Sequence, residues 1–121
     1  YMVESRTPLD EFEAEIGIRP VWICPFVVPD GRFSLFRLRT DTPYINFGFW
    51  DRVRSSEPDG YYNARVEALV ARHGGKKRLY SRSTYDEATF WSAYDRDAYQ
   101  SLKRECDPEG RFPGLYEKTV Q

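Results

Sequence analysis

The sequence predicts an α+β fold: an antiparallel sheet with helices on one face, resembling the ferredoxin-like plan, followed by an ordered C-terminal tail. Three observations carry this. Short runs of branched and aromatic residues bounded by Pro, Gly and Asp read as strands. Segments with apolar residues at helical spacing and polar starts read as helices. The closing stretch "CDPEGRFPGLYEK" joins turn-forming Pro and Gly to Phe112, Leu115 and Tyr116, which a solvated tail has little reason to keep.

In order along the chain, Tyr1 to Glu4 can add an edge strand. "TPLDEFEAEIG" is a short helix, with Thr7 as cap, Pro8 at the first helical position, acids in the first turn and Gly17 at the stop. Its apolar stripe is Leu9, Phe12 and Ile16. "RPVWICPFVVP" is a strand apolar on both faces, which Pro25 marks as bulged or at an edge. "DGR" turns the chain into a second strand, "FSLFRL", and a turn around Asp41 and Pro43 leads to a third, "YINFGFW". In that strand Ile45, Phe47 and Phe49 share one face, with Tyr44, Asn46, Gly48 and Trp50 on the other. The latter face should lack helical cover.

"RVRSSEPDGYY" is a loop, and from about Asn63 a helix carries Val66, Leu69, Val70 and His73 before "HGG" ends it. "KKRLYSRS" reads as a short strand. Asp86 caps a helix bearing Phe90, Trp91 and Tyr94, and a further helix places Tyr99, Leu102 and Cys106 on one side.

Composition narrows the function. The 121 residues are the size of one domain, 1–121, and 18 basic against 19 acidic residues leave no basic footprint for a phosphate backbone, so nucleic acid is not an expected partner. No apolar run approaches the roughly 20 residues of a membrane span, and the expectation is a soluble, cytoplasmic chain with its two cysteines reduced. One histidine excludes a metal site built on several imidazoles, and no metal is expected. The chain opens on Tyr1 and not Met, which fits either an internal piece of a longer protein or a residue left by cloning, and speaks against reading it as a complete gene product.

Motifs for chemistry are sparse. "HGGKK" follows a helix, the reverse of the strand, glycine turn, helix order that cradles phosphate. His73, on an apolar stripe beside a glycine stop, fits a core or capping role better than that of a base. Cys24 between Ile23 and Pro25 reads as an inert thiol, carboxylates at helix starts serve the macrodipole, and "GKKRLYSR" reads as a solvated strand end.

Taken together, "RPVWICPF", "YINFGFW", "GGKKRLYSRSTYDEATFWSAYD" and "DPEGRFPGLYEK" resemble, in order and over nearly the whole chain, the C-terminal half of FAD-linked oxidoreductases of the vanillyl-alcohol oxidase and p-cresol methylhydroxylase superfamily, nearest the delta-24 sterol reductase branch. The resemblance implies a substrate or cap domain whose sheet covers a flavin and walls the pocket for a largely apolar substrate undergoing hydride transfer. FAD would be held mainly by a preceding FAD-binding domain of the same polypeptide, the chain's chief partner, and without it the chain would be inactive and prone to self-association. By the same resemblance the tail's Phe112, Leu115 and Tyr116 dock against the cap and flavin domains. Tyr80 matches an aromatic near flavin and substrate, and Arg82 or Ser83 stands where relatives carry a lysine, which an arginine cannot replace as a base. Tyr44 and Asn46, with Trp22 and Cys24 on the neighbouring strand, match strands facing the flavin, plain sheet packing being the alternative for each. No catalytic residue is identified. The competing functional reading is a stand-alone α+β module that binds a small ligand or a protein without catalysis.

Overall fold

A computed structural model describes residues 1–19, 21–30 and 34–120. Its sheet has three strands, β1 (Met2–Glu4), β2 (Val21–Val27) and β3 (Pro43–Phe49), in the order β1-β3-β2. Both outer strands run antiparallel to β3 and therefore parallel to each other. The helix between them, α1 (Asp10–Ile16), makes this a split β-α-β unit with β3 inserted in the gap. α2 (Tyr61–Arg72) follows β3 and returns the chain to the free edge of β1. There Lys76 forms an antiparallel bridge with Met2, each donating its N–H to the other's carbonyl at 2.7 and 2.8 Å. The fourth strand of a ferredoxin-like sheet is thereby present as a single bridged residue.

The helices cover one face because alternation along β3 sorts its side chains. Phe47 and its neighbours Ile45 and Phe49 meet Phe12 and Ile16 of α1 and Val66, Leu69 and Val70 of α2, with Val3 completing the core. Phe12 packs edge-on to Phe47, ring centroids 4.9 Å apart. Each such buried side chain contributes about 1.5–3 kcal/mol. Gly17 ends α1 in the left-handed conformation, φ 63°, as its position after the apolar stripe predicts. The start differs: α1 begins at Asp10 with Leu9 as its cap, while the Thr7 N–H is used in a turn to the Glu4 carbonyl.

Two expected strands are not strands. "FSLFRL" is, over its described residues, a 3₁₀ turn at Ser34–Phe36 followed by irregular chain. β3 already has a partner on each edge, β1 and β2, so no third pairing is open to this segment. The turn expected at "DGR" lies outside the described residues at Gly31 and Arg32. "KKRLYSRS" pairs with β1 only at Lys76 and then leaves the sheet, because the next residue, Lys77, is drawn to a carboxylate on α2.

The remaining helices, α3 (Glu87–Ala93), α4 (Arg96–Cys106) and α5 (Leu115–Thr119), form a second layer with its own aromatic cluster. Asp86 caps α3 as expected, accepting the Thr89 N–H at 2.7 Å, and Asp95 caps α4 through Ala98 N–H at 3.0 Å. Phe90 is fully buried between Trp91, Tyr94 and Tyr116. On α4, Leu102 and Cys106 face outward, so the expected apolar side reduces to Tyr99 and its half-buried neighbours. None of the helices is long and apolar enough to cross a membrane, among the described residues.

Candidate functional site

The register of β2 on β3 sets Trp22 opposite Gly48, Cys24 opposite Asn46 and Phe26 opposite Tyr44, while Met2 of β1 lies opposite Asn46 on the other side. Directly paired residues share a face, so the expected set Trp22, Cys24, Tyr44 and Asn46 does come together, on the side away from α1 and α2. That face is not bare. Tyr44 is buried, its ring stacked on Phe26 at 5.7 Å and its hydroxyl accepting the Arg39 N–H at 3.0 Å. Asn46 is buried too, and its Oδ1 has no hydrogen-bond partner among the described residues. The segment after the 3₁₀ turn thus covers this half of the face in place of a helix. The end near Gly48 is open, with Trp22 44% exposed.

Between this face, the 34–38 segment and the second helical layer runs an apolar trough of about 840 Å³. Met2 and Phe26 form one side, Leu35 and Leu38 another, and Leu79 and Leu115 close it, with Arg37, Arg78 and Asp30 also contributing. Tyr94, on its wall, donates its hydroxyl to the Lys77 carbonyl at 2.6 Å, and burial, then the neighbouring Tyr85 and Glu67, push its acidity down. The phenol is a fixed donor, not an acid, at neutral pH.

A buried ion pair lies where the sequence reading had only a basic run. Lys77 Nζ lies 2.5 Å from Glu67 Oε1, and each side chain is 2% exposed. Glu67 Oε2 accepts the Thr84 N–H at 2.9 Å and the Thr84 hydroxyl at 2.5 Å, while Lys77 donates also to the Arg82 carbonyl and lies 5.5 Å from the Tyr1 ring centre. Both buried charges are therefore fully provided with partners, the condition under which such a pair is tolerated. Nearby, burial and then the Glu67 charge push the Tyr85 hydroxyl up to about 12. "GKKRLYSR" is accordingly not a solvated strand end at Lys77. The signal was in the sequence, since Glu67 sits inside the stripe Val66, Leu69 and Val70, where an acid calls for a buried cation.

Tyr80 and Arg82 lie on the loop beyond this pair, apart from the four sheet residues. Tyr80 is 67% exposed, and Arg82 pairs with Asp59 at 2.5 Å. His73 bridges α2 to α1, its Nε2 2.8 Å from Glu11 Oε2 and its ring against Phe12, which is the structural role expected of it. The glycines beside it are also structural. Gly74 has φ 63°, and a Cβ on Gly75 would stand 2.4 Å from the Met2 carbonyl oxygen, so Gly75 is there to let α2 meet β1.

In the tail, Leu115 and Tyr116 pack within the chain: the Leu115 N–H donates to the Tyr99 hydroxyl at 2.8 Å, and Tyr116 meets Phe90 edge-on at 5.3 Å. Phe112 alone of the three is outside, 70% exposed. Both cysteines are free, and no group of His, Cys, Asp and Glu suited to a metal occurs among the described residues.

The chain is similar to a Delta(24)-sterol reductase of Rattus norvegicus, 26% identical over 116 residues. It is also similar to a Delta(24)-sterol reductase of Homo sapiens, 25% identical over 115 residues, and to a Delta(24)-sterol reductase homolog of Caenorhabditis elegans, 28% identical over 119 residues. Each similarity covers 93% of this chain and 22% of the relative, so the chain spans about a fifth of the length of the curated relatives it matches. No family model and no solved structure matches.

Proposed function

We propose that this chain is the substrate-covering part of a longer FAD-dependent oxidoreductase acting on a largely apolar, sterol-like substrate. The observation that carries the reading is the similarity to Delta(24)-sterol reductases over 93% of the chain. The fold is compatible with it, since one sheet face is packed by α1 and α2 and the other leaves an apolar trough and an open end at Trp22 and Gly48.

FAD, when bound, supplies the hydride exchange. The residues described here do not fit its pyrophosphate: the glycine pair follows a helix, and Gly75 is closed off by Met2, Val3 and Val70. In this reading the cofactor is held by another domain of the same polypeptide, and this chain contributes orientation and the exclusion of water.

The test is made on the full-length protein. It should purify with one flavin per chain, and a sterol with a side-chain double bond should oxidise the reduced flavin as its own double bond is reduced. A colourless full-length protein that binds ligands without turnover would instead favour a binding module. The 121-residue chain alone should stay colourless after mixing with FAD and desalting, and a stoichiometric yellow protein would overturn the division of labour.

A further inference from the structure

The trough is lined mainly by apolar side chains, yet two arginines, Arg37 and Arg78, also line it among the described residues. They are not equivalent. Arg37 is neutralised by Asp95 at 2.5 Å. Arg78, an exposed residue, has no hydrogen bond or ion pair among the described residues, and Asp30, the one acidic residue among the trough's described lining, has an interaction of its own. A solvated arginine is ordinary, but this one stands at the rim of an apolar hollow and its backbone is held. The preceding residue, Lys77, is fixed at both ends, its ammonium on Glu67 and its carbonyl on the Tyr94 hydroxyl. The following residue, Leu79, is itself a wall of the trough.

We infer that the trough is a binding site for an amphiphilic anion: an elongated apolar molecule ending in a carboxylate, sulfate or phosphate. The anionic end meets the planar fork of Arg78, which matches such groups with two parallel hydrogen bonds, and the apolar body lies along Met2, Phe26, Leu38 and Leu79. A volume of about 840 Å³ lies within the range of small-molecule pockets. Because Lys77 is anchored, little order has to be imposed on the loop when the ligand arrives, which favours affinity. This inference does not depend on the proposed oxidoreductase activity.

Decanoate and decanol share an apolar body and differ in charge. Titrated below micellar concentration into the full-length protein and followed by calorimetry, decanoate should bind about tenfold more tightly than decanol, the worth of one charged hydrogen-bonding group. Arg78→Gln should abolish that difference and leave decanol binding unchanged, Arg78→Lys should keep part of it, and Leu38→Asp should weaken both ligands. Arg6→Gln, an exposed arginine paired with Glu4, is the control that should change nothing. Equal binding of the two ligands, binding of neither, or a preference that survives Arg78→Gln would each overturn the inference. Selective decanoate binding by a protein that carries no flavin would leave it standing and remove only the proposed function.

Discussion

Lys77 and Thr84 grip opposite oxygens of one buried carboxylate: Lys77 reaches Glu67 Oε1 at 2.5 Å, and the N–H and hydroxyl of Thr84 reach Oε2 at 2.9 and 2.5 Å. The loop between them, which carries Arg78, Tyr80 and Arg82, therefore begins and ends on α2. Removing one partner strands the other in a place water does not reach. Lys77→Met should cost about 3–5 kcal/mol in denaturant unfolding. The double variant Glu67→Gln with Lys77→Met should be more stable than Lys77→Met alone, because the uncompensated charge is gone. A loss under about 0.5 kcal/mol for Lys77→Met, the size expected of a plain surface change, would mean that the pair is not buried in solution.

Three glycines separate three physical situations. A methyl on Gly75 meets backbone, the Met2 carbonyl oxygen, and two valine methyls within 2.8 Å, so Gly75→Ala should push β1 off α2 and cost about 1–3 kcal/mol or more. Gly74→Ala meets no atom but must hold φ 63°, for about 1 kcal/mol. Gly48→Ala has open space and an ordinary strand conformation, and should be neutral or stabilising by up to about 1 kcal/mol. Thermal unfolding of the three variants gives the order directly, and a Gly48→Ala as damaging as Gly75→Ala would contradict the packing described.

Tyr80 and His73 divide a surface role from a structural one. Tyr80 is largely exposed, so Tyr80→Phe should leave stability unchanged, while in the full-length oxidoreductase proposed above, with Tyr80 at the substrate as the family resemblance implies, loss of its hydroxyl should lower turnover or substrate affinity several-fold, the worth of one hydrogen bond of about 0.5–1.5 kcal/mol. His73→Gln removes the α2–α1 bridge to Glu11 and should lower the melting temperature while kinetics stay near normal. A silent Tyr80→Phe beside an inactive but folded His73→Gln would reverse both assignments.

The turn after α4 should loosen in acid. Asp107 accepts the N–H groups of Arg111 at 2.8 Å and Phe112 at 3.1 Å and pairs with Lys103, and its carboxyl is held below the usual range, first by Lys103 and then by the Phe112 N–H. A depressed folded-state pKa means that the stabilisation is complete above the unfolded value, about 4, and is lost as pH falls through the depressed one. Amide exchange at Arg111 and Phe112, corrected for its intrinsic pH dependence, should lose protection on acidification below pH ~4. In Asp107→Asn, protection should be lower at neutral pH and flat across the same range, and an unchanged profile would rule the carboxylate out as the clasp.

The elements legible in the chain's own residues follow from local periodicity and local stereochemistry. Alternation along 44–49 sorted Phe47 and Phe49 to the core and Tyr44 and Asn46 to the opposite face, and the i, i+3, i+4 spacing of Val66, Leu69 and Val70 gave α2 its buried stripe. The caps at Asp86 and Gly17 were equally legible, since a side chain or a left-handed residue satisfies neighbouring backbone groups whatever the rest of the chain does. Which segments pair with β3 depended on long-range packing. Once β1 and β2 hold its two edges, "FSLFRL" has no strand to join, and its described apolar residues Leu35, Phe36 and Leu38 line the trough over the free face instead. Only the tertiary structure, likewise, turned a basic-looking stretch into a buried Lys77, because the desolvation of Glu67 is relieved by a cation ten residues on, and that meeting requires α2 to have packed against the sheet first.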